Sequence, residues 1–221
     1  MAVIEKVPKR AKQHTVYQLA NGSRVPGVTT ILGVLNKPAL VKWANNLGLQ
    51  GIDSSKYVDD KAAIGSLAHA MIEAYLSGEK CDTSEYSQAQ ISQAETCLIK
   101  FWDWEKEHRI VPILCETPMV SEEWKFGGTI DCIAEVDGKD TLLDFKTSKG
   151  IFPEMLTQLS AYQHLSEVNG YSVHHARIIR IGRNEDEGFE DRAINNLSKQ
   201  WDLFTHCLAI FQLQNEIKRG K

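Results

Sequence analysis

The chain has no C-x-x-C pair. Its five cysteines (Cys81, Cys97, Cys115, Cys132 and Cys207) are scattered and odd in number. That excludes a disulfide framework or a zinc knuckle and fits reduced thiols in a cytosol-like compartment. No apolar run is long enough to cross a bilayer. Met1 to Gln13 lack the apolar stretch of a secretory signal, being polar and basic, and are expected to be loose. There is no internal repeat and no low-complexity tract. Net charge is small, −4 over 221 residues. This excludes coating nucleic acid by general charge, but leaves room for a local basic groove around an acidic site. The hydrophobic fraction of 43% supports a core without staples, and the length suits one domain.

The chain opens on a small hairpin, His14–Leu19 against Arg24–Val25, with Asn21-Gly22 as its turn. A short helix is expected over Val28–Leu35. Another begins at Pro38 and runs to Leu47, with Gly48 as its C-cap. Asp59–Leu76 is a helix whose apolar stripe is Ile64, Leu67, Ala68, Met71, Ile72 and Tyr75, ended by Gly78. His69 and Glu73 lie one turn apart at the edge of that stripe. A second long helix spans Ser84–Glu107, with Ile91, Ala94, Leu98, Phe101 and Trp102 inward. Ile110–Val120 is extended, and Pro112 and Pro118 suit an edge. Pro153 starts a helix to about Val168, with Gln158 and Tyr162 on one face. Val173–Ile181 is a strand. Glu185, Asp186, Glu187, Glu190 and Asp191 read as a solvated acidic loop, and a last helix spans about Ile194–Lys218.

Residues 127–149 carry the densest chemistry. Ile130–Val136 and Leu142–Lys146 read as two strands joined at Asp137-Gly138. Alternation puts Asp144 and Lys146 on one face, with Leu143 and Phe145 on the other. On the first strand it puts Asp131 with Ile133, against Ile130, Cys132 and Ala134. Two carboxylates on adjacent strands, with an ammonium beside one of them, suit a divalent metal and an anion next to it. The same residues equally fit a sheet with two exposed aspartates and a surface lysine. The whole order is helices, three strands, a helix, a strand and a helix. It gives a mixed α/β core (108–221) with a mainly helical N-terminal part (1–107).

That order, with acid, Asp-x-Lys and Gln-x-x-x-Tyr in sequence, resembles the PD-(D/E)XK nuclease superfamily, and within it the RecB-type branch of phage and prophage exonucleases. The motifs are Val25–Leu32 and Lys37–Ala44, then Gly65-Ser66-Leu67-Ala68-His69 followed by Glu73, Gly128-Thr129-Ile130-Asp131, Asp144-Phe145-Lys146-Thr147 and Gln158-Leu159-Ser160-Ala161-Tyr162. Each is weak alone, and their order makes them specific. Ile130 stands where many members have Pro, and the second acid is Asp instead of Glu.

The resemblance implies a restriction-endonuclease-like core, with a mixed sheet flanked by helices, acting as one nuclease domain over residues 1–221. It implies a metal-dependent DNA exonuclease of phage recombination, replication or repair. A structure-selective endonuclease or a catalytically inactive DNA-binding module remain as alternatives. His69, Asp131, Asp144 and the Phe145 carbonyl would hold Mg²⁺ or Mn²⁺. Lys146 would act on the attacking water or the phosphate charge, with Gln158 and Tyr162 orienting the strand. Without the resemblance, His69 reads first as a helix-flank residue and only second as a ligand; with it, helix-surface polarity is the lesser alternative for Gln158 and Tyr162. Glu116 is equally a site or a surface residue. Only Cys207 lies near the C-terminus, so no iron–sulfur cluster is expected. Lys125, Lys149, Arg177, Arg180 and Arg183 would line a phosphate groove or serve solubility alone. Trp43, Tyr57 and Trp124 are core or surface residues, or stack on an unpaired base. The partners implied are linear single- or double-stranded DNA and a single-strand annealing or recombination protein, with no membrane. The compartment implied is the cytoplasm, that of a bacterial host if phage-encoded.

Overall fold

A computed structural model describes residues 15–220. The basic segment 1–13, and His14 at the head of the hairpin, lie outside the described residues. The chain runs β1 (Tyr17–Gln18), β2 (Arg24–Val25), α1 (Val28–Leu32), α2 (Pro38–Leu49), α3 (Ser54–Leu76) and α4 (Gln88–Glu105). Then come β3 (Ile110–Ser121), β4 (Phe126–Val136), β5 (Lys139–Lys146), α5 (Pro153–Val168), β6 (His175–Ile181), β7 (Phe189–Ile194) and α6 (Ser198–Lys218).

One mixed five-stranded sheet, in order β3-β4-β5-β6-β7, forms the centre, flanked by helices. Every neighbouring pair is antiparallel except β5–β6, which is parallel. The parallel pair needs a crossover, and α5 supplies it. β3 is an edge strand, as its prolines require, with a register shift between Pro112 and Leu114. Asp137 and Gly138 make the two-residue β4–β5 turn with positive φ at both positions, +51° and +79°. This is the backbone that favours Asn or Asp followed by Gly.

Helices cover both faces, so central strands are apolar on both sides. On one face Leu67 and Ile72 of α3 and Phe101 of α4 pack on Cys132, Leu143, Phe145 and Ile179. On the other, Ile31 of α1, Leu159 and Leu165 of α5 and Phe204 of α6 pack on Ile130, Ile133, Leu142 and Ile178. The Asp53 carboxylate caps α3 by accepting from the Ser55 and Lys56 amides. Ser87 and Gln90 cap α4 reciprocally. Among the described residues, no helix is long and apolar enough to cross a membrane.

Several local expectations fail for identifiable reasons. α2 continues through Gly48 to Leu49, and the left-handed glycine is Gly51, φ +73°. α4 buries Trp104 where Trp102 was expected, because the Trp104 indole N–H donates to Asp191. Tyr75 turns outward and its hydroxyl donates to Glu105. The acidic loop contains a 3₁₀ turn (Glu185–Glu187) and then a strand, β7, so the last helix starts at Ser198. β7 has little apolar alternation. Its acids are instead paired with cations of β6, Glu190 with Arg180 and Asp191 with Arg177.

Candidate active site

The strand ladder opens where the acids sit. β4 and β5 pair from Val136↔Lys139 up to Cys132↔Leu143 and no further. β5 and β6 stay paired through Lys146↔Arg180. The next β4 residue is Asp131, and its carboxylate takes the Phe145 backbone N–H at 3.0 Å. A side chain thus replaces a ladder acceptor, leaving no buried amide unmet. The same break disturbs the expected alternation. Ile130 joins Ile133 in the α5-side core, whereas Cys132 and Ala134 face α3 and α4.

On β5 the alternation holds. Leu143 and Phe145 enter the α3–α4 core, while Lys146 Nζ lies 2.7 and 2.6 Å from the two oxygens of Asp144. Only Oδ1 lies in hydrogen-bonding direction; Oδ2 is buried without an aligned donor. Asp144 is fully buried. Burial pushes its carboxyl above the ordinary range, Lys146 pulls it back and Asp131 adds to the rise.

His69 reaches the sheet from α3. Its Nδ1 is 3.5 Å from Asp131 Oδ2, and its ring meets Phe145 edge-on. Glu116 comes from the other side. Cys115↔Cys132 and Thr117↔Ile130 are paired, which sets Glu116 opposite Asp131. Glu116 also has φ +44°, a strained backbone for a non-glycine that costs about 1–3 kcal/mol and clusters at working sites. Ligand atoms of His69, Glu116 and Asp131 all lie within 4.8 Å of one another. These three therefore form the tight group, and Asp144 is turned to Lys146 beside it. Nitrogen and oxygen donors of this mix fit Mg²⁺ or Mn²⁺, with imidazole favouring Mn²⁺.

A cavity of about 740 Å³ opens over this group, with His69, Asp131, Lys146, Gln158 and Tyr162 in its wall. Gln158 Nε2 donates to the Tyr162 hydroxyl at 2.7 Å. Tyr162 is buried, and burial with the Asp131 and Asp144 charges raises its phenol well above the usual range. Gly128 makes room for it, since a Cβ there would sit 2.7 Å from the Tyr162 ring. The β1–β2 hairpin forms the cavity's outer wall with Tyr17 and Arg24. Tyr17 lies against Gly127, where a Cβ would come within 2.6 Å of it, and its hydroxyl is 3.0 Å from Thr129 Oγ1.

The expected basic groove is not made by the arginines named for it. Arg177 pairs with Asp191. Arg180 is buried, donates to the Glu187 carbonyl and lies near Glu190. Arg183 forms a bidentate pair with Glu187, which draws that carboxyl down to about 2. These cations hold β6, the 3₁₀ turn and β7 together. Trp124 packs with Trp201 and His164, and Trp43 meets Tyr57 between α2 and α3. Arg24, Thr29 and Thr30 line the cavity without having been singled out. The hairpin brings Arg24 there, and α1 brings Thr29 and Thr30.

No family model matches the chain, and no curated protein matches it. Among solved structures it is similar to a candidate exonuclease from Eubacterium rectale, at 13% identity over 71% of this chain and 68% of that one, TM-score 0.46. It is also similar to the Laribacter hongkongensis alkaline exonuclease. With dAMP bound, that structure gives 12% identity over 72% and 86% of the two chains, TM-score 0.42. A second structure of that enzyme gives 14% over 73% and 92%, TM-score 0.33.

Proposed function

We propose that the chain is a divalent-metal-dependent nuclease of the PD-(D/E)XK superfamily, RecB-type branch, acting as an exonuclease on linear DNA. The observation that carries this reading is the convergence of His69, Glu116 and Asp131 beside the Asp144–Lys146 pair, where His69, Asp131 and Lys146 line one open cavity. His69 belongs to the helical part and the others to the sheet, so residues 1–107 and 108–221 serve one catalytic unit. His69, Glu116 and Asp131, with Asp144 adjoining, would hold Mg²⁺ or Mn²⁺, which would supply Lewis-acid chemistry for acidifying water and polarising a phosphodiester oxygen.

The protein's own groups do the rest. Asp131 is oriented by the Phe145 amide. Lys146 offers a fixed positive charge to the phosphate, where negative charge builds during in-line displacement. Paired with Asp144, it orients water from that position. Gln158, tied to Tyr162, aims its amide at the strand lying over the lysine. Phage recombination, replication or repair, alongside a strand-annealing protein, is the setting in which such an activity is used.

The test is cleavage of end-labelled linear duplex, linear single strand and closed circle in Mg²⁺, Mn²⁺ or EDTA, with Lys146→Ala as control. Metal-dependent loss of linear DNA with the circle spared is expected. Cutting of the circle would make it an endonuclease. Binding without cleavage in any metal would reduce it to a DNA-binding module.

A further inference from the structure

A second, smaller space of about 190 Å³ lies where α1, the start of α2 and the start of α5 meet. Thr29, Lys146 and Gln158 line both it and the larger cavity, so the two abut at the lysine. Lys37 and Glu154 also line it, joined by a 2.7 Å ion pair. Among the described residues, Glu154 is the only carboxylate in that wall, against the two ammonium groups of Lys37 and Lys146.

We propose that this space is a phosphate subsite. It takes the internal phosphodiester next to the one attacked at Lys146, with Lys37 as its cation. Glu154 occupies Lys37 until the strand arrives. The proposal rests on the nuclease reading above. Size selects the ligand: the space is smaller than the roughly 300–1,000 Å³ that whole small molecules occupy, so it suits a phosphate and not a base. Charge selects it too, because a strand carries one negative charge per nucleotide. A strand crossing Lys146 brings its next phosphate to the adjoining space. The Lys37–Glu154 pair is over a third exposed on both sides, and pairs of that kind contribute little. Exchanging carboxylate for phosphate therefore costs little, and the release of counterions from the strand favours it. The Thr29 hydroxyl and Gln158 amide add uncharged donors on the shared wall.

The experiment is fluorescence anisotropy with a labelled single strand lacking terminal phosphates, in EDTA and again in Ca²⁺, across a salt series. Wild type is compared with Lys37→Gln, Lys37→Arg and Glu154→Gln, each checked for an unchanged unfolding midpoint. Lys37→Gln is expected to weaken binding about 5- to 10-fold. It should also make the dependence of log K on log salt shallower by about 0.7, the value of one single-strand phosphate contact. Lys37→Arg should keep the slope, and Glu154→Gln should tighten binding about 3-fold. An unchanged slope in Lys37→Gln, with wild type binding normally, overturns the subsite and leaves the nuclease reading standing. Weaker binding in Glu154→Gln also overturns it, since the pair would then act as a strut. If wild type binds no strand in either condition, the nuclease reading falls and the subsite with it.

Discussion

Two ends of one sheet carry the same kinds of residue and use them in opposite ways. At the C-terminal end of β5 stand His69, Asp131, Asp144 and Lys146. Towards the other end His108 and Asp137 meet at the β4–β5 turn, joined by Arg177 and Asp191 of the β6–β7 pair. In the second group His108 Nδ1 is 2.7 Å from Asp137, which also accepts from the Arg109 amide. Asp191 accepts from Trp104 and pairs with Arg177. Fixed donors answer Asp137, which is held below the ordinary carboxylate range, chiefly by its bond to His108. In the first group three carboxylates, with Glu116, face one lysine and one histidine beside an open cavity. There Asp144 is pushed up instead of down. Burial separates the two: Asp137 is half exposed and bonded to fixed donors, while Asp144 is taken out of water beside a second acid, with Lys146 pulling it back.

The sharpest way to break this contrast is to remove a cation from each end. Lys146→Ala should lower the cleavage rate about 10³-fold, with DNA binding retained. Arg177→Ala should leave the rate per folded molecule within a few-fold. Equal losses in initial-rate assays would end the distinction. Next in size is metal linkage. Mg²⁺ or Mn²⁺ at about 100 times its Kd should add about 2.7 kcal/mol to unfolding. That gain should vanish in Glu116→Gln and Asp131→Asn and persist in Asp137→Asn, as read from denaturation with and without metal.

Stability should show the reverse pattern. Arg177→Ala should cost about 2 kcal/mol in metal-free urea unfolding, by stranding a partly buried Asp191. Asp144→Asn should cost less there, because burial and Asp131 already oppose the charge it removes, even though Lys146 loses its partner.

The smallest effect belongs to His164, which stacks on Trp201 at 4.1 Å. Burial lowers its pKa from 6.5. Below pH 6.5 the unfolded chain takes up a proton that the folded chain refuses, so stability is intact above that pH and declines as pH falls beneath it. His164→Phe should flatten that limb of the pH–stability curve.

Much of this was legible in the sequence because period and turn chemistry report directly on the backbone. Asp137-Gly138 fixed the β4–β5 turn. The Leu142–Lys146 alternation put Asp144 with Lys146, and the four-residue spacing put Gln158 on Tyr162. The mixed sheet flanked by helices followed from element order. What escaped depends on contacts distant in sequence. β7 is held by ion pairs to β6, so its acids looked like a solvated loop. Trp104 lies inward in place of Trp102 because an aspartate 87 residues away accepts its N–H. For Glu116 the sequence left a site and a surface role open, because it is set towards Asp131 at a backbone irregularity, φ +44°, that alternation does not encode. Asp131 ends the β4–β5 ladder, so Ile130 left the face assigned to it.

The Asp137–Gly138 turn also sets the phase of everything that follows it in the sheet. Its length lets Val136 meet Lys139, and from there each β5 residue inherits a side. A single-codon insertion at that turn, far from the cavity, would alter no side chain named in the site. Yet if pairing shifted by that one step, Phe145 and Leu143 would turn towards the cavity, and Asp144 and Lys146 would enter the apolar layer beneath α3 and α4. Which face of the sheet carries Asp144 and Lys146 is therefore a matter of parity, counted from two residues outside the candidate site.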